Sequence, residues 1–561
     1  LKMQRIAVVG VGPRGLSVVE RVLSYAELTG RKIDLLLFEP QTLGVGVHSL
    51  DLPDYLLLNT VAGQITAFPD EAMVPDAPFM PGPSFLAWCG QRGLTVPASW
   101  SAARPAAVAE HHFMPRRLYG EYLEWSAALL LAQAPDCVQV TVKKEIVTNV
   151  RPCGEEAELT VGDGSSYRAD LAIVTTGHGL HTPPRERNGS RGLVERCYLL
   201  PEKLAGIDAG QRVAIAGMGL TAIDVVAALT VGRGGRFQKV DGALRYAASG
   251  REPRMVLFNR RGWLPCARPA LPRRTPPQGG TGALTLDALA EMRKDRIGGC
   301  LSYSEDLEPL IRREVEADDL EPEERRALAR VLGQGRETWW SEAEFHAAVV
   351  AQARQDLTEA ALGLGASRIK NRLEVLRDRR EVLRSSVDAP GLTAAGHRDF
   401  FHFLPALANR AAVGPQLERS EELMSLMDAG LVRLGPGPGA RLEQTDSGWS
   451  LTSTALGEKK RLRADFALKA HIDTPELDPA IDPLSRSLRD WGAAHPADSR
   501  YLRLERDGRV LTRSGATAPV AVFGPPAEGA NYYNNYVLWP GTWSRLLTDI
   551  DRALRPLFKQ M

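Results

Sequence analysis

Apolar residues in this chain follow two rhythms, and the N-terminal stretch shows both in sequence. Gln4–Val9 is a short run rich in branched aliphatics, which reads as a parallel strand buried on both faces. It ends in Gly10-Val11-Gly12-Pro13-Arg14-Gly15, after which Leu16–Ala26 has helical spacing and Ile33–Phe38 is again strand-like. Strand, turn, helix and strand in that order predict a βαβ unit. Pro40 to Pro115 is rich in Gly and Pro and weakly periodic, so loops are expected. Helical spacing returns over Arg116–Ala132. Val138–Val150 and Glu158–Val161 read as strands, with Gly162-Asp163-Gly164-Ser165 as a tight hairpin turn. Asp170–Thr176 is a further strand, closed by Gly177-His178-Gly179.

The first device then recurs. Arg212–Ala216 is a strand, Gly217-Met218-Gly219 a turn, Leu220–Leu229 a helix and Met255–Asn259 the next strand. Pro265–Gly282 reads as a linker. Leu284 to Ser386, dominated by Leu, Ala, Glu and Arg, reads as a helical insert. Beyond it come a helix at Ser420–Ala429 and strands at Leu431–Leu434, Arg441–Gln444, Trp449–Thr454 and Arg461–Lys469. Val520–Phe523 is the last strand, followed by Gly524-Pro525-Pro526, an Asn/Tyr cluster and an amphipathic helix from Trp543 to Leu557.

Composition narrows the classes open to such a chain. At 561 residues it is too long for one core. With 69 basic against 68 acidic residues it lacks the basic excess that nucleic acid or an anionic membrane demands. No stretch reaches the roughly 18–20 apolar residues of a spanning helix. No cationic leader precedes the first strand, so a cytoplasmic protein is expected. Cys89, Cys137, Cys153, Cys197, Cys266 and Cys300 are dispersed without a C-x-x-C pair, which argues against zinc, a redox pair or a disulfide framework. Histidines form no H-x-x-x-H pair, and no metal site is expected.

The chemistry therefore rests on the turns. Gly10, Gly12 and Gly15, with Pro13 and Arg14 between them, leave room for a pyrophosphate against the backbone, and the helix start supplies N–H donors. Glu39, 24 residues beyond Gly15, is placed to accept ribose hydroxyls. FAD and NAD satisfy these rules equally; the N-terminal position with a second copy downstream favours FAD. The second turn, Gly217, Gly219 and Ala222 with Leu220 and Thr221, is a G-x-G-x-x-A variant. Its following strand ends at Asn259-Arg260-Arg261 instead of an acid. Guanidinium groups there suit the 2′-phosphate of NADP and favour NADPH over NADH; a solvated basic face is the competing reading. Asn59, Thr60, Gln64 and Thr66 form a polar set suited to a flavin edge, with Asn59 and Gln64 as the catalytic candidates. His48, Gly177, Gly524, Asn534 and Asn535 complete the cofactor-facing candidates. The expected fold is α/β, with two Rossmann-like dinucleotide-binding domains, for FAD and NADPH, and a helical insert. The FAD domain takes 1–205 and 476–561, the NADPH domain 206–283 and 396–475, and the insert 284–395.

With these motifs the chain resembles flavoproteins related to N-hydroxylating flavin monooxygenases, and more closely a bacterial FAD/NAD(P)-binding group that includes amino-acid N-monooxygenases of natural-product pathways, nitrosuccinate synthases among them. Gly10–Glu20, Leu56–Asp70, Pro115–Leu123, Thr175–Gly179, Glu381–Thr393, Asn409–Pro415, Ala470–Pro475 and Gly524–Pro540 carry the resemblance. It departs at the long insert, which ornithine and lysine hydroxylases lack. The resemblance implies that NADPH reduces FAD, that O₂ forms a C4a-hydroperoxyflavin and that a substrate amine is oxygenated, stopping at N-hydroxylation or going on to a nitroso product. It implies a small amine or amino-acid substrate, with Arg116, Arg117 and Arg268 as carboxylate-clamp candidates. Oxygenation at carbon or sulfur, and a non-catalytic flavin-binding pathway protein, are the alternative readings. The oligomeric state stays open, a homodimer being one option.

Overall fold

The computed structural model describes residues 3–96, 106–178, 192–198, 200–270, 281–316, 320–333, 338–471, 482–534 and 537–558. In chain order the strands of its two larger sheets are β1 (Gln4–Val9), β2 (Ile33–Phe38), β3 (Val138–Lys143), β4 (Leu171–Val174), β5 (Leu193–Val194), β6 (Arg212–Ala216), β7 (Arg254–Phe258), β8 (Val432–Leu434), β9 (Phe466–Lys469), β10 (Arg509–Leu511) and β11 (Thr517–Val522). The helices that matter most for the sites are α1 (Pro13–Thr29), α2 (Arg116–Ala132), α3 (Leu220–Leu229) and α4 (Arg545–Phe558). The chain divides into two compact units, one made of Leu1–Pro183, Arg384–Arg398 and Asp473–Met561, the other of Pro184–Leu383 and Asp399–Ile472.

The first unit is built on a sheet of order β10-β11-β4-β1-β2-β3, parallel except for the β10–β11 pair. β2 and β4 are buried at every position, as strands covered on both faces must be. α1 packs on one face against α4, and its Arg21 is fully buried there. Such a charge needs partners. Glu20 supplies two contacts at 2.7 and 2.9 Å, the Pro78 carbonyl accepts at 2.5 Å, and Asp551 of α4 lies 3.5 Å away. Burial pushes the Asp551 carboxyl up to about 6 in spite of that cation.

The second unit repeats the plan with a fully parallel sheet, β5-β9-β6-β7-β8. The repetition extends to single hydrogen bonds. In each unit a three-stranded antiparallel sheet (Val147–Cys153, Glu156–Val161, Ser166–Ala169; and Arg441–Thr445, Gly448–Thr452, Arg461–Ala464) delivers the chain to an aspartate. Asp170 bonds the backbone of Arg5 through both its own N–H (2.8 Å) and its carboxylate (2.7 Å). Asp465 treats Arg212 in the same way, at 2.8 and 2.7 Å. From these aspartates β4 and β9 start beside β1 and β6.

The aspartates explain one departure from the sequence pattern. Arg461–Lys469 reads as one strand but is two, in different sheets, because Asp465 diverts the backbone between them. Val138–Val150 likewise splits into β3 and Val147–Cys153, parted by the polar Lys144 and Glu145. The first residues of the expected linker are packed: Cys266, Ala267 and Arg268 are buried, and their chain bonds Arg410 and Pro415. A helix at Ala394–Ala411 escapes sequence reading because it carries Pro405. The hairpin Arg236–Val240/Ala243–Ala247 also went unread, although Asp241-Gly242, at φ 50° and 78°, is a strong turn signal. The insert is helical as expected, with helices at Leu286–Lys294, Glu308–Val315, Pro322–Val331, Glu342–Leu362, Arg368–Asp378 and Arg380–Val387. Among the described residues no helix is long and apolar enough to cross a membrane.

Each aspartate bond should contribute about 1 kcal/mol. Asp170→Ala and Asp465→Ala should each lower stability by that amount in urea titration, while the Asn variants, which keep an acceptor, should lose less than half as much. Equal losses for Ala and Asn would remove the aspartates' side chains from this account.

Candidate dinucleotide sites

Both glycine turns sit where the sheet order reverses, at the carboxyl ends of the strands. In an open α/β sheet that is where ligands bind. In the first unit β1 leads through α1 to β2 on one side, while β4 lies on the other. Gly10 donates to the Phe38 carbonyl at 2.9 Å and has φ 82°, and a Cβ there would lie 2.9 Å from Thr176 Cα. Gly15 keeps α1 against β1, since a Cβ would meet the Gly10 oxygen at 2.5 Å. Thr175 adds a hydroxyl bond to the same oxygen. Pro13 and Arg14 form the first turn of α1, whose cap, Gly12, offers no side chain to the free N–H groups. By contrast, Thr285 and Ser341 cap the helices that follow them.

Glu39 is buried beside this turn. One carboxylate oxygen accepts from Val11 N–H (2.8 Å) and the other from Gln41 N–H (3.1 Å), which leaves a lone pair on each. Gly44 and Gly46, which the sequence reading passed over despite their G-x-G spacing, pack onto the turn: Gly44 N–H bonds the Val11 carbonyl, and Gly46 Cα would lie 3.4 Å from a Cβ on Gly12. His48 follows. Its Nδ1 is buried with no hydrogen-bond partner among the described residues, and burial together with Arg116 pushes the ring down to about 3, so it is neutral. A buried ring nitrogen without a partner fits a site awaiting a polar ligand.

Asn59 and Gln64 are half-buried on a segment pinned at several points. Leu58, Ala62 and Gly63 donate to Met114, His112 and Glu110, and Thr66 donates to Leu538. Gly177 follows β4, and a Cβ on it would meet nothing within 4 Å. Gly524 follows β11, and a Cβ on it would lie 2.6 Å from the Arg14 guanidinium. Arg14 in turn bonds the Asn534 carbonyl. Asn535 lies outside the described residues. Arg116 donates to the Leu57 carbonyl at 2.9 Å, and Arg117 is engaged by Asp54 at 2.5 Å and Glu121 at 2.7 Å.

The second turn has the same backbone bonding. Gly217 donates to the Phe258 carbonyl at 2.8 Å and has φ 144°, and a Cβ on it would lie 2.2 Å from the Ala470 oxygen. Gly219 caps α3 without a side-chain bond, and a Cβ there would meet nothing within 4 Å. The protein itself thus gives no steric reason for glycine at 219. Leu220 and Thr221 open α3; the Thr221 hydroxyl lies 3.4 Å from Tyr198, which donates to Asp224 at 3.0 Å. Beyond β7, Asn259 closes a turn through Gly262 N–H (2.5 Å) and the Trp263 carbonyl (2.9 Å), and the turn exposes Arg260 and Arg261. Among the described residues neither guanidinium has an ion pair or hydrogen bond. Arg268 is buried in this unit, and the residue before it, Ala267, lines a mostly apolar cavity with Met218, Ile223, Asp356 and Met424. Asp356 is already held there by Lys370 at 2.6 Å.

Residues 7–179 match a family model described as FAD-NAD(P)-binding. Over 98% of its length the chain is 28% identical to a Streptomyces davaonensis protein named L-aspartate N-monooxygenase (nitrosuccinate-forming), 96% of which is covered. It is 27% identical to a nitrosuccinic acid synthase of Aspergillus oryzae, again over 98% of this chain and 92% of the other. An ornithine N-hydroxylase structure from Kutzneria sp. 744 superposes with a TM-score of 0.49 at 15% identity, covering 99% of this chain and all of that one.

Space beside Gly219 and crowding beside Gly217 set up a contrast. Gly219→Ala should leave the melting temperature within about 2 °C yet weaken binding of a dinucleotide whose diphosphate would fill that space. Gly217→Ala should lose the folded second unit. Dinucleotide affinity unchanged in Gly219→Ala would show that the phosphates do not approach this turn.

Proposed function

We propose that this FAD- and NAD(P)-binding flavoprotein, a relative of the amino-acid N-monooxygenases, is an FAD-dependent, NADPH-reduced monooxygenase that oxygenates the amine of a small amino acid. L-Aspartate is the substrate to test first, since end-to-end similarity to two nitrosuccinate-forming proteins is the observation that carries the reading. The paired turns support it. One is followed by an acid and the other by two exposed arginines, so the two nucleotides bound should differ.

In the first unit the bare start of α1 and the turn Gly10–Gly15 would hold the FAD diphosphate, with Glu39 on the ribose. His48, Asn59, Gln64, Gly177, Gly524 and Asn534 would line the rest. The neutral His48 ring and the two side-chain amides can each donate and accept, as the edge of a flavin requires. In the second unit Gly217, Gly219, Leu220 and Thr221 would hold the NADPH diphosphate, and Arg260 and Arg261 its 2′-phosphate. When bound and reduced by NADPH, the flavin would supply the electrons that activate O₂. What remains for the chain is to orient the partners and exclude water, which agrees with the lack of any acid–base pair in the motifs. Arg268 and Arg117 are the proposed carboxylate clamps for the amino acid.

Purified protein loaded with FAD should bleach on adding NADPH without oxygen, and under air should form hydroxylamine or nitroso product from L-aspartate. NADPH oxidation that no amino acid couples to product would overturn the proposal. Replacing Arg260 and Arg261 by Ala should raise KM for NADPH about tenfold or more and leave KM for NADH within about twofold. An unchanged NADPH/NADH preference would return these arginines to the solvent.

A further inference from the structure

The loop Glu528–Asn534, which follows β11 and Gly524, has its backbone polar groups taken up by four ionisable side chains. Glu528 accepts from Tyr533 N–H (2.9 Å), Asn534 N–H (3.1 Å) and the Asn534 amide (2.8 Å). Arg384 donates to the carbonyls of Tyr532 (3.2 Å) and Tyr533 (2.9 Å), its guanidinium 5.7 Å from the Tyr533 ring. Arg14, in the first turn of α1, takes the next carbonyl, that of Asn534. His397 Nε2 meets the Gly529 carbonyl at 2.7 Å. Two of the four, Arg384 and His397, come from Arg384–Arg398, the short segment that belongs to the first unit although the chain on either side of it belongs to the second. That segment is tied further within its unit by Asp388 to Arg545 and by the Ala389 carbonyl to Arg506.

We propose that Arg384 is a positioning residue for the flavin nucleotide, acting through this loop without touching the cofactor. The inference rests on the reading of the first unit as the FAD site. Two features separate it from plain stabilisation. Arg384 is buried, and a buried charge is a poor way to add stability but an effective way to specify one geometry. Tyr533 is held at φ 57°, a left-handed conformation that a tyrosine keeps only when its surroundings impose it. Arg384 bonds the carbonyls of Tyr532 and Tyr533 while Glu528 takes the N–H groups of Tyr533 and Asn534, so Arg384 is one of the two groups that impose it. Since Arg14 joins the same loop to the start of α1, a loop that slackens also draws Arg14 away from the diphosphate turn.

Flavin affinity should therefore fall in Arg384→Ala while NADPH affinity, set by the second unit, does not. FAD binding to the deflavinated full-length protein, followed by quenching of flavin fluorescence, should weaken about tenfold or more. NADPH affinity, measured separately by titration, should stay within about twofold of wild type. Arg384→Lys, which keeps the charge but reaches one carbonyl at a time, should fall between the two. If Arg384→Ala fails to fold, the lysine variant decides: intermediate FAD affinity supports the proposal, and wild-type affinity overturns it. Equal weakening of FAD and NADPH would also overturn it, because it would signal general loosening. Wild-type protein that binds no FAD would instead bring down the reading of the first unit.

Discussion

Two strand ends in each unit approach closer than a side chain permits, and the rest of the architecture depends on that approach. Gly10 against Thr176 and Gly217 against Ala470 are the points of contact. Each glycine also donates to the phenylalanine that ends the neighbouring strand, Phe38 or Phe258. The turn is thus held between the strand on its left and the strand on its right, and the helix that follows begins with its N–H groups directed out of the sheet. A side chain at either glycine would push the sheet open. The space that the turn leaves is a consequence of the same closeness.

The two units share this bonding almost bond for bond, yet they diverge where the next strand ends. β2 passes into Glu39, whose carboxylate folds back onto the Val11 amide. β7 passes into Asn259, whose amide closes a turn that lifts Arg260 and Arg261 into solvent. A carboxylate at that spot accepts from ribose hydroxyls and repels a phosphate; unpaired guanidiniums do the opposite. On the proposed reading, duplication of the fold with inversion of charge at one strand end would give two nucleotides two addresses.

Local pattern made most of this visible. β1, β2, α2, β6 and α3 run over the residues that their spacing predicts, because each is a buried strand or an amphipathic helix whose apolar positions set its limits. Where the reading ran two strands of different sheets together, the cause was non-local. Asp170 and Asp465 redirect the chain by bonding backbones far away in sequence, which no periodicity records. Gly44 and Gly46 carried a signal that was passed over. Arg384 lies in Glu381–Thr393, a segment that carries the resemblance, but its periodicity reads as an ordinary helix, and its bonds to Tyr532 and Tyr533 appear only in the folded chain.

Substrate choice is then a question of how strongly each candidate cation could hold a carboxylate. Arg117 lies between Asp54 and Glu121 and is a third exposed, so a substrate carboxylate there would compete with two resident ones under solvent screening. Arg268 is buried, where an added carboxylate is worth more per contact and where its own desolvation must be met by excellent geometry. A site that discriminates between small amino acids gains most from the second kind of cation. On electrostatic grounds Arg268, at the end of the segment that carries Leu264 to Ala267 past the Gly217 turn, is the stronger of the two proposed clamps.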